Sequence, residues 1–340
     1  MTVHTCAEGF GLQSAPALRW GVAAPGEIAA DFVSTVQRNT NQRVEAVASR
    51  SLARAEQFGD RFEIPTRLGS YDDLADSDVD VVYVAAVNSG HADLALRAIE
   101  GGKHVLVEKP LAMNAAEAAR IADAAKSAGV LVMEGLWTRY LPTYVELARQ
   151  LDAGLIGDVR FASVSIGWQA TPAAAPRLWD LSLGGGVTLD MGVYGLWFAQ
   201  FAVGRPVRLL ATGQMIDGVD AQVAISIAAD GGRLAAVSTS LLGTMSGQAE
   251  IVGSEATVTI VDHVVFSRGF AVTSRSGRQE WRDDSALAGR DGLAWEAVAL
   301  ATYVAEGRTD SPVHSLADAV ALAASMDSVR DQIGHPPAAS

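Results

Sequence analysis

Asp190 and Tyr194 stand four residues apart in Leu189-Asp190-Met191-Gly192-Val193-Tyr194. On a helix that spacing projects a carboxylate and a phenol from one face toward a common point. Such a pair suits proton transfer, the phenol accepting or returning the proton while the carboxylate orients it. The preceding Gly184-Gly185-Gly186 allows close backbone approach, to a cofactor or substrate. Upstream, Gly102-Lys103-His104-Val105-Leu106-Val107-Glu108-Lys109-Pro110 sets a charged pair and a proline at the end of an apolar, β-branched run. If that run is a strand of a parallel sheet, Glu108, Lys109 and Pro110 fall at its carboxyl edge, where ligands gather. A lysine there can polarise a substrate oxygen or stabilise a neighbouring phenolate, and the proline restricts its backbone, a cis bond being one way. Plainer readings stay open at this point. Lys109 would be a solvated loop lysine, and Tyr194 an interior aromatic of the apolar stretch from Val193 to Phe201.

A second constellation suits an anionic cofactor. Trp20-Gly21-Val22-Ala23-Ala24-Pro25-Gly26-Glu27-Ile28-Ala29 lies where a first strand should turn into a first helix. In the G-x-G-x-x-G/A fingerprint the first small residue permits the tight turn, the second admits the pyrophosphate, and the third lets helix pack on strand. Here the set is Ala24, Gly26 and Ala29, with Ala24 acceptable only if the turn keeps a negative φ there. Ala24, Pro25, Gly26, Glu27 and Ile28 are the candidate pyrophosphate contacts. The second strand ends Ala48-Ser49-Arg50-Ser51, without the carboxylate that takes the ribose 2′-hydroxyl of NAD. A guanidinium and hydroxyls there suit a 2′-phosphate instead, so Ser49, Arg50 and Arg54 favour NADP(H), with NAD(H) the second option. The alternative is that Arg50 and Arg54 decorate the start of a surface helix.

These residues need a particular scaffold. From Leu18 to about Val132, β-rich runs at 18–24, 43–49, 80–87, 103–107 and 130–134 alternate with helical spacing at 26–38, 51–58, 91–100 and 114–128. Asn114 and Glu117 form a helix start. This rhythm predicts a Rossmann-type, doubly wound parallel sheet. After a helix at 142–153, strand follows strand at 207–214, 221–229, 232–241, 247–253, 256–260 and 263–267, with helices at 291–306 and 315–333. Such short links predict an open, mainly antiparallel β-sheet flanked by helices. The expected division is a flexible tail over 1–16, a dinucleotide-binding domain over 17–139, an α+β substrate and oligomerisation domain over 140–334, and a tail over 335–340.

Composition excludes several functions. The chain of 340 residues carries a formal net charge of −13, which repels phosphate backbones and anionic lipid surfaces, so neither nucleic acid nor membrane is an expected partner. The one cysteine, Cys6, allows no internal disulfide and no multi-cysteine metal site. No metal is expected, and with no leader pattern or long apolar run a cytoplasmic location is.

The order of Trp20 to Ala29, then Val87-Asn88-Ser89-Gly90-His91, then GKHVLVEKP, strongly resembles the Gfo/Idh/MocA oxidoreductases. Met133-Glu134-Gly135-Leu136-Trp137-Thr138-Arg139-Tyr140-Leu141-Pro142 resembles the family's domain-joining segment, Gly154 to Val159 the start of its second domain, and Leu183 to Tyr194 its catalytic helix. The Trp-Thr-Arg-Tyr variant and Tyr194 are most similar to the branch of dimeric dihydrodiol dehydrogenases, NADP-dependent D-xylose dehydrogenases and glucose-fructose oxidoreductase. The resemblance implies Lys109, Asp190 and Tyr194 as the catalytic set, with Tyr194 the acid/base for hydride transfer to or from nicotinamide. It implies Val87, Asn88, His91, Glu108, Lys109, Pro110, Trp137 and Arg139 beside the cofactor. Lys109, Trp137, Trp179, Asp190 and Tyr194 would meet a sugar, cyclic polyol or trans-dihydrodiol. A homodimer or homotetramer through the antiparallel sheet is implied too. Departures from the family pattern are Ala24-Pro25 in the phosphate turn and Ala86-Val87, where a proline often precedes the Asn. A non-catalytic, cofactor-sensing regulator is the competing function, and retention of Lys109, Asp190 and Tyr194 speaks against it.

Overall fold

In the computed structural model, which describes residues 11–334, the alternation of the first part folds as a parallel sheet. Its elements are β1 (Arg19–Ala23), α1 (Glu27–Asn39), β2 (Arg43–Ala48), α2 (Leu52–Phe62), β3 (Thr66–Leu68), α3 (Tyr71–Ala75), β4 (Val81–Val84), α4 (His91–Glu100), β5 (His104–Glu108), α5 (Ala115–Ala128) and β6 (Val132–Gly135). The strands lie in the order β3-β2-β1-β4-β5-β6, every pairing parallel. The order reverses between β1 and β4, which makes the carboxyl ends of those strands the switch point where ligands bind in such sheets. β4 is buried along its whole length, as a strand covered on both faces must be. Beside it Phe32 stacks on Tyr83 with ring centroids 4.0 Å apart, and the Trp20 indole N–H donates to Gln42 Oε1 at 3.1 Å. At the start of α5, Asn114 Oδ1 accepts from Glu117 N at 2.9 Å and Glu117 Oε2 accepts from Met113 N at 3.1 Å, the reciprocal cap expected there.

The described chain divides into two units, 11–140 with 287–320, and 141–286 with 321–334. The continuous second domain expected over 140–334 is therefore interrupted. The cause is α8 (Leu293–Ala305), whose mostly buried residues make it apolar all round. A helix of that kind needs cover on every side, and α8 finds part of it on α1 and on the 3-10 turn Trp137–Tyr140 of the first unit. Ala15 packs on Val298 and Ala301 of α8, while the Asn41 and Gln42 side chains donate to the Ala15 and Pro16 carbonyls at 2.6 and 2.9 Å. Residues 11–16 are thus seated on this unit. The rest of the expected tails, 1–10 and 335–340, lies outside the described residues.

The second unit holds α6 (Pro142–Asp152), β7 (Val159–Gly167), α7 (Val193–Val203), β8 (Pro206–Ile216), β9 (Val219–Ala229), β10 (Leu234–Ser240), β11 (Ala249–Gly253), β12 (Ala256–Val261), β13 (Gly269–Ser274) and β14 (Gly277–Arg282). These strands form one open sheet in the order β14-β13-β12-β11-β7-β10-β9-β8. Only β7 and β10 pair in parallel. α7 covers one face against β7 and β10. The strand expected at 263–267 is instead a 3-10 turn over Val264–Phe266. Local side chains satisfy its backbone there: His263 Nδ1 accepts from Val265 N at 3.2 Å, and Ser267 Oγ donates to the Val261 carbonyl at 2.6 Å. The last helix is α9 (Leu316–Gln332). No described helix is long and apolar enough to cross a membrane.

Candidate active site

In the first unit the turn after β1 carries the dinucleotide signature with one change from expectation. Ala24 has φ +65°, so the negative φ that would suit its Cβ is absent. The left-handed conformation costs an alanine about 1–2 kcal/mol. Two contacts hold the turn: Ala24 N donates to the Ala48 carbonyl at 3.0 Å, and Arg54 Nη2 to the Pro25 carbonyl at 3.1 Å. Arg54 is thereby tied to the phosphate turn and is no mere decoration. Gly26 is the N-cap of α1, with extended backbone and no side-chain cap, and a Cβ on it would meet no protein atom within 4 Å. The chain's own packing does not require glycine there. A bare helix N-terminus, with its amides outward, is what a pyrophosphate uses, so the residues present fit a dinucleotide. Ala29 is fully buried, as the third position of the fingerprint requires. At the tip of β2, Ser49 is buried and accepts from Ser51 N at 3.3 Å, while Arg50 is exposed. After β4, Val87 is exposed and Asn88 is buried at the start of a 3-10 turn.

Lys109 follows β5 directly, half-buried, and its bond to Pro110 is cis. The next peptide, Pro110–Leu111, is gripped at both of its polar atoms. His91 Nδ1 lies 2.7 Å from the Pro110 carbonyl, and Leu111 N donates to Glu134 Oε1 at 2.8 Å. The other Glu134 oxygen is 2.7 Å from His314 Nε2. His91 Nε2 in turn lies 3.0 Å from the Ala86 carbonyl. Both nitrogens of this buried ring face backbone carbonyls, and burial lowers its pKa below the usual histidine range, so it carries one N–H to share between them. The His91 side chain is therefore enclosed by backbone of two loops and turned away from a ligand, unlike the cofactor contact expected of it. Trp137 changes as well, for at 2% exposure its ring offers no face for a substrate or nicotinamide to stack on. Arg139 is half-buried, and its charge lies near the Tyr140 and Tyr303 phenols.

Beside Lys109, Glu108 is buried and accepts from the Tyr83 hydroxyl at 2.6 Å. Burial raises its pKa, a rise the Tyr83 hydrogen bond and the nearby Lys109 charge oppose. Glu296 of α8 is fully buried, and neither of its carboxylate oxygens has a hydrogen-bond partner. Burial, and then the charge of Glu108, push its pKa well above the carboxylate range.

In the second unit, Asp190 lies in a π-helical turn, Thr188–Gly192, that runs directly into α7, and Tyr194 is the second residue of α7. Both are buried. Insertions of this kind in a helix are frequent at functional sites. Arg177, from the 3-10 turn Pro176–Trp179, donates to Asp190 Oδ1 at 3.2 Å. Trp179 is half-buried and donates its indole N–H to the Ala170 carbonyl at 2.9 Å. Two glycines of the run serve this unit's own packing. A Cβ at Gly185 would stand 2.7 Å from the Leu178 carbonyl oxygen, and one at Gly186, where φ is +114°, 1.9 Å from Asp220 Oδ1. Asp220 is buried on β9 and accepts from Thr188 N at 2.7 Å, anchoring the π turn. Asp220, Glu134, His314 and Glu296 were all missed from sequence. A signal existed for three: a carboxylate embedded in an apolar run, as in Val219-Asp220-Ala221, Val132-Met133-Glu134 and Leu293-Ala294-Trp295-Glu296.

A topological switch point, a bare helix N-terminus at the first βα turn and a lysine at the end of β5 define the class, the Rossmann-fold dinucleotide oxidoreductases. The Gfo/Idh/MocA model, an oxidoreductase family with an NAD-binding Rossmann fold, matches residues 18–136, and that family's C-terminal domain model matches residues 144–259. The chain belongs to the Gfo/Idh/MocA oxidoreductases. It is 32% identical over 327 residues to trans-1,2-dihydrobenzene-1,2-diol dehydrogenase of Xenopus tropicalis, covering 94% of this chain and 98% of that protein. The enzyme of that name from Danio rerio is 33% identical over 329 residues, covering 94% and 97%. Among solved structures, KijD10, a 3-ketoreductase from Actinomadura kijaniata in complex with NADP and TDP-benzene, superposes with a TM-score of 0.81 at 26% identity, over 94% of this chain and 98% of that one. A levoglucosan dehydrogenase in complex with NADH and levoglucosan shares the fold, with a TM-score of 0.83 at 20% identity over 94% and 98%.

Proposed function

We propose that the protein is an NADP(H)-dependent dehydrogenase or reductase acting on a secondary alcohol or its carbonyl in a sugar, cyclic polyol or trans-dihydrodiol. The observation that carries this reading is a carboxylate and a phenol, Asp190 and Tyr194, on one buried helical stretch, with Asp190 held by Arg177. The dihydrodiol dehydrogenase relatives and the NADP complex of KijD10 support the substrate class and the cofactor. Bound nicotinamide would take or give the hydride. In oxidation Tyr194 accepts the hydroxyl proton as the substrate C–H bond gives up its hydride, and in reduction it returns that proton to the carbonyl oxygen. The Lys109 ammonium stabilises negative charge on the substrate oxygen, and Asp190 orients Tyr194. Ser49, Arg50 and Arg54 hold the 2′-phosphate.

A screen following nicotinamide absorbance over dihydrodiols, cyclic polyols, aldoses and keto sugars, with NADP(H) and NAD(H) in parallel, tests all of this. Tyr194→Phe should lower kcat by about 10²–10⁴-fold. Undiminished turnover would overturn the role of Tyr194. Arg50→Ala should weaken NADP(H) by about tenfold, the scale of one charge-assisted hydrogen bond, and NAD(H) far less. Equal losses would remove the case for NADP(H).

The same reading makes the protein a homodimer or homotetramer through its antiparallel sheet. β8 lies at the sheet's edge and exposes Val207 and Leu210 at 64% and 56%, apolar side chains a second copy would cover. A monomeric mass by light scattering at working concentration would refute it.

A further inference from the structure

Two buried polar side chains grip one peptide group, and a third backs one of them. The Pro110 carbonyl faces His91 Nδ1 at 2.7 Å, the Leu111 N–H of that peptide donates to Glu134 Oε1 at 2.8 Å, and Glu134 Oε2 faces His314 Nε2 at 2.7 Å. They come from α4, from β6 and from the segment before α9, all in the first unit. Buried polar groups are costly, and apolar side chains of similar volume often pack such a place as well or better. A set that fixes both the carbonyl and the N–H of a single peptide removes its freedom to rotate. That peptide begins at the residue after Lys109, so fixing it fixes where the Lys109 backbone stands. The requirement at a reacting centre is strict, since a displacement of about 1 Å can cost roughly 10²-fold in rate.

We infer that His91, Glu134 and His314 are positioning residues for Lys109. The neutral His91 ring has one N–H, and from Nδ1 it donates to the Pro110 carbonyl, the shorter of its two contacts. Glu134 supplies the acceptor for Leu111 N, and His314 holds the Glu134 carboxylate in the orientation that reaches it. The inference rests on the role of Lys109 proposed above.

A double-mutant cycle tests it, with kcat measured on the best substrate of the screen and cofactor affinity by nicotinamide fluorescence. Glu134→Ala should lower kcat by about 10–100-fold and leave the cofactor Kd within about threefold. Glu134→Gln keeps an oxygen for Leu111 N and should recover most of the loss. Because Glu134 acts through Lys109, Glu134→Ala should cost nothing further in a Lys109→Ala background. Losses that multiply in the double variant would overturn the inference while leaving the role of Lys109 standing. Full turnover by Lys109→Ala would overturn that role and this inference together. Should Glu134→Ala not fold, His314→Ala enters the same cycle, with a smaller expected loss of about 3–10-fold because Leu111 N keeps its acceptor.

Discussion

Glu296 is a carboxyl group with nothing to hold its charge. Glu108 has the Tyr83 hydroxyl at 2.6 Å and the Lys109 and Arg290 charges nearby, whereas both Glu296 oxygens are without partners. Two buried carboxylates within reach of each other do not both ionise in a dry interior, so of the two Glu296 is the one that holds its proton more tightly. The linkage has a definite sign. Between the ordinary carboxylate range and the raised value, the unfolded chain has lost its Glu296 proton and the folded chain has not, so stability falls as pH rises through that window. Glu296→Gln removes the titration. The difference in Tm between variant and wild type should therefore climb by a few degrees from pH 5 to pH 8, read by calorimetry. A difference constant across that range would show that Glu296 is not held protonated. Its position inside an apolar helix was legible, but its state was not, because that depends on Glu108, far away in sequence. Lys109, Asp190 and Tyr194 could be proposed from sequence because each lies in a contiguous motif. The side chains that hold the backbone near Lys109 and Asp190 could not, since His314 and Glu134 meet across 180 residues and Asp220 and Thr188 across 32.

The stretch from the π turn into α7 is the element on which the second unit's chemistry depends, and Gly186 sets its start. An alanine there would meet two obstacles, a φ of +114° and the Asp220 oxygen 1.9 Å from its Cβ. To make room, Asp220 must leave Thr188 N and surrender the cap of the turn that holds Asp190. Gly232→Ala separates the two effects, because φ there is +74° but nothing lies within 4 Å of the added Cβ. Gly232→Ala should cost about 1 kcal/mol, and Gly186→Ala about 2–4 kcal/mol more, the scale of a buried carboxylate losing its hydrogen bond. Urea unfolding of both variants checks this, and equal losses would mean that Asp220 does not anchor the turn. Elements with strong periodicity, such as α5 and β9, could be placed from sequence. β3 could not, being three residues long, nor could β13 and β14, whose Arg278, Gln279 and Glu280 look like loop. Those strands are held by pairing with neighbours, which no local pattern encodes.

Over the whole molecule the expected boundary near 140 is where the units part, but the return of α8 to the first unit left no local trace. That α8 is buried all round was written in its composition; which unit would bury it was not. One global property read from sequence does constrain function, the net charge of −13. A polyanionic dinucleotide approaching at low salt senses the whole surface, because the screening length at about 0.01 M is about 30 Å. Repulsion should then dominate. At about 0.15 M the length shrinks to about 8 Å, and the cofactor should respond mainly to what lies beside it, on the proposed reading the Arg50 and Arg54 side chains at the entry to α2. Association of NADPH should therefore quicken severalfold between these ionic strengths. At still higher salt the arginine contacts are themselves screened and the rate should fall again. Stopped-flow nicotinamide fluorescence reads the curve directly. In Arg50→Ala the falling limb should flatten while the rising limb stays, since only the first belongs to the local site. A rate that fell from the lowest salt onward would mean that the local cations outweigh the global charge even at long range.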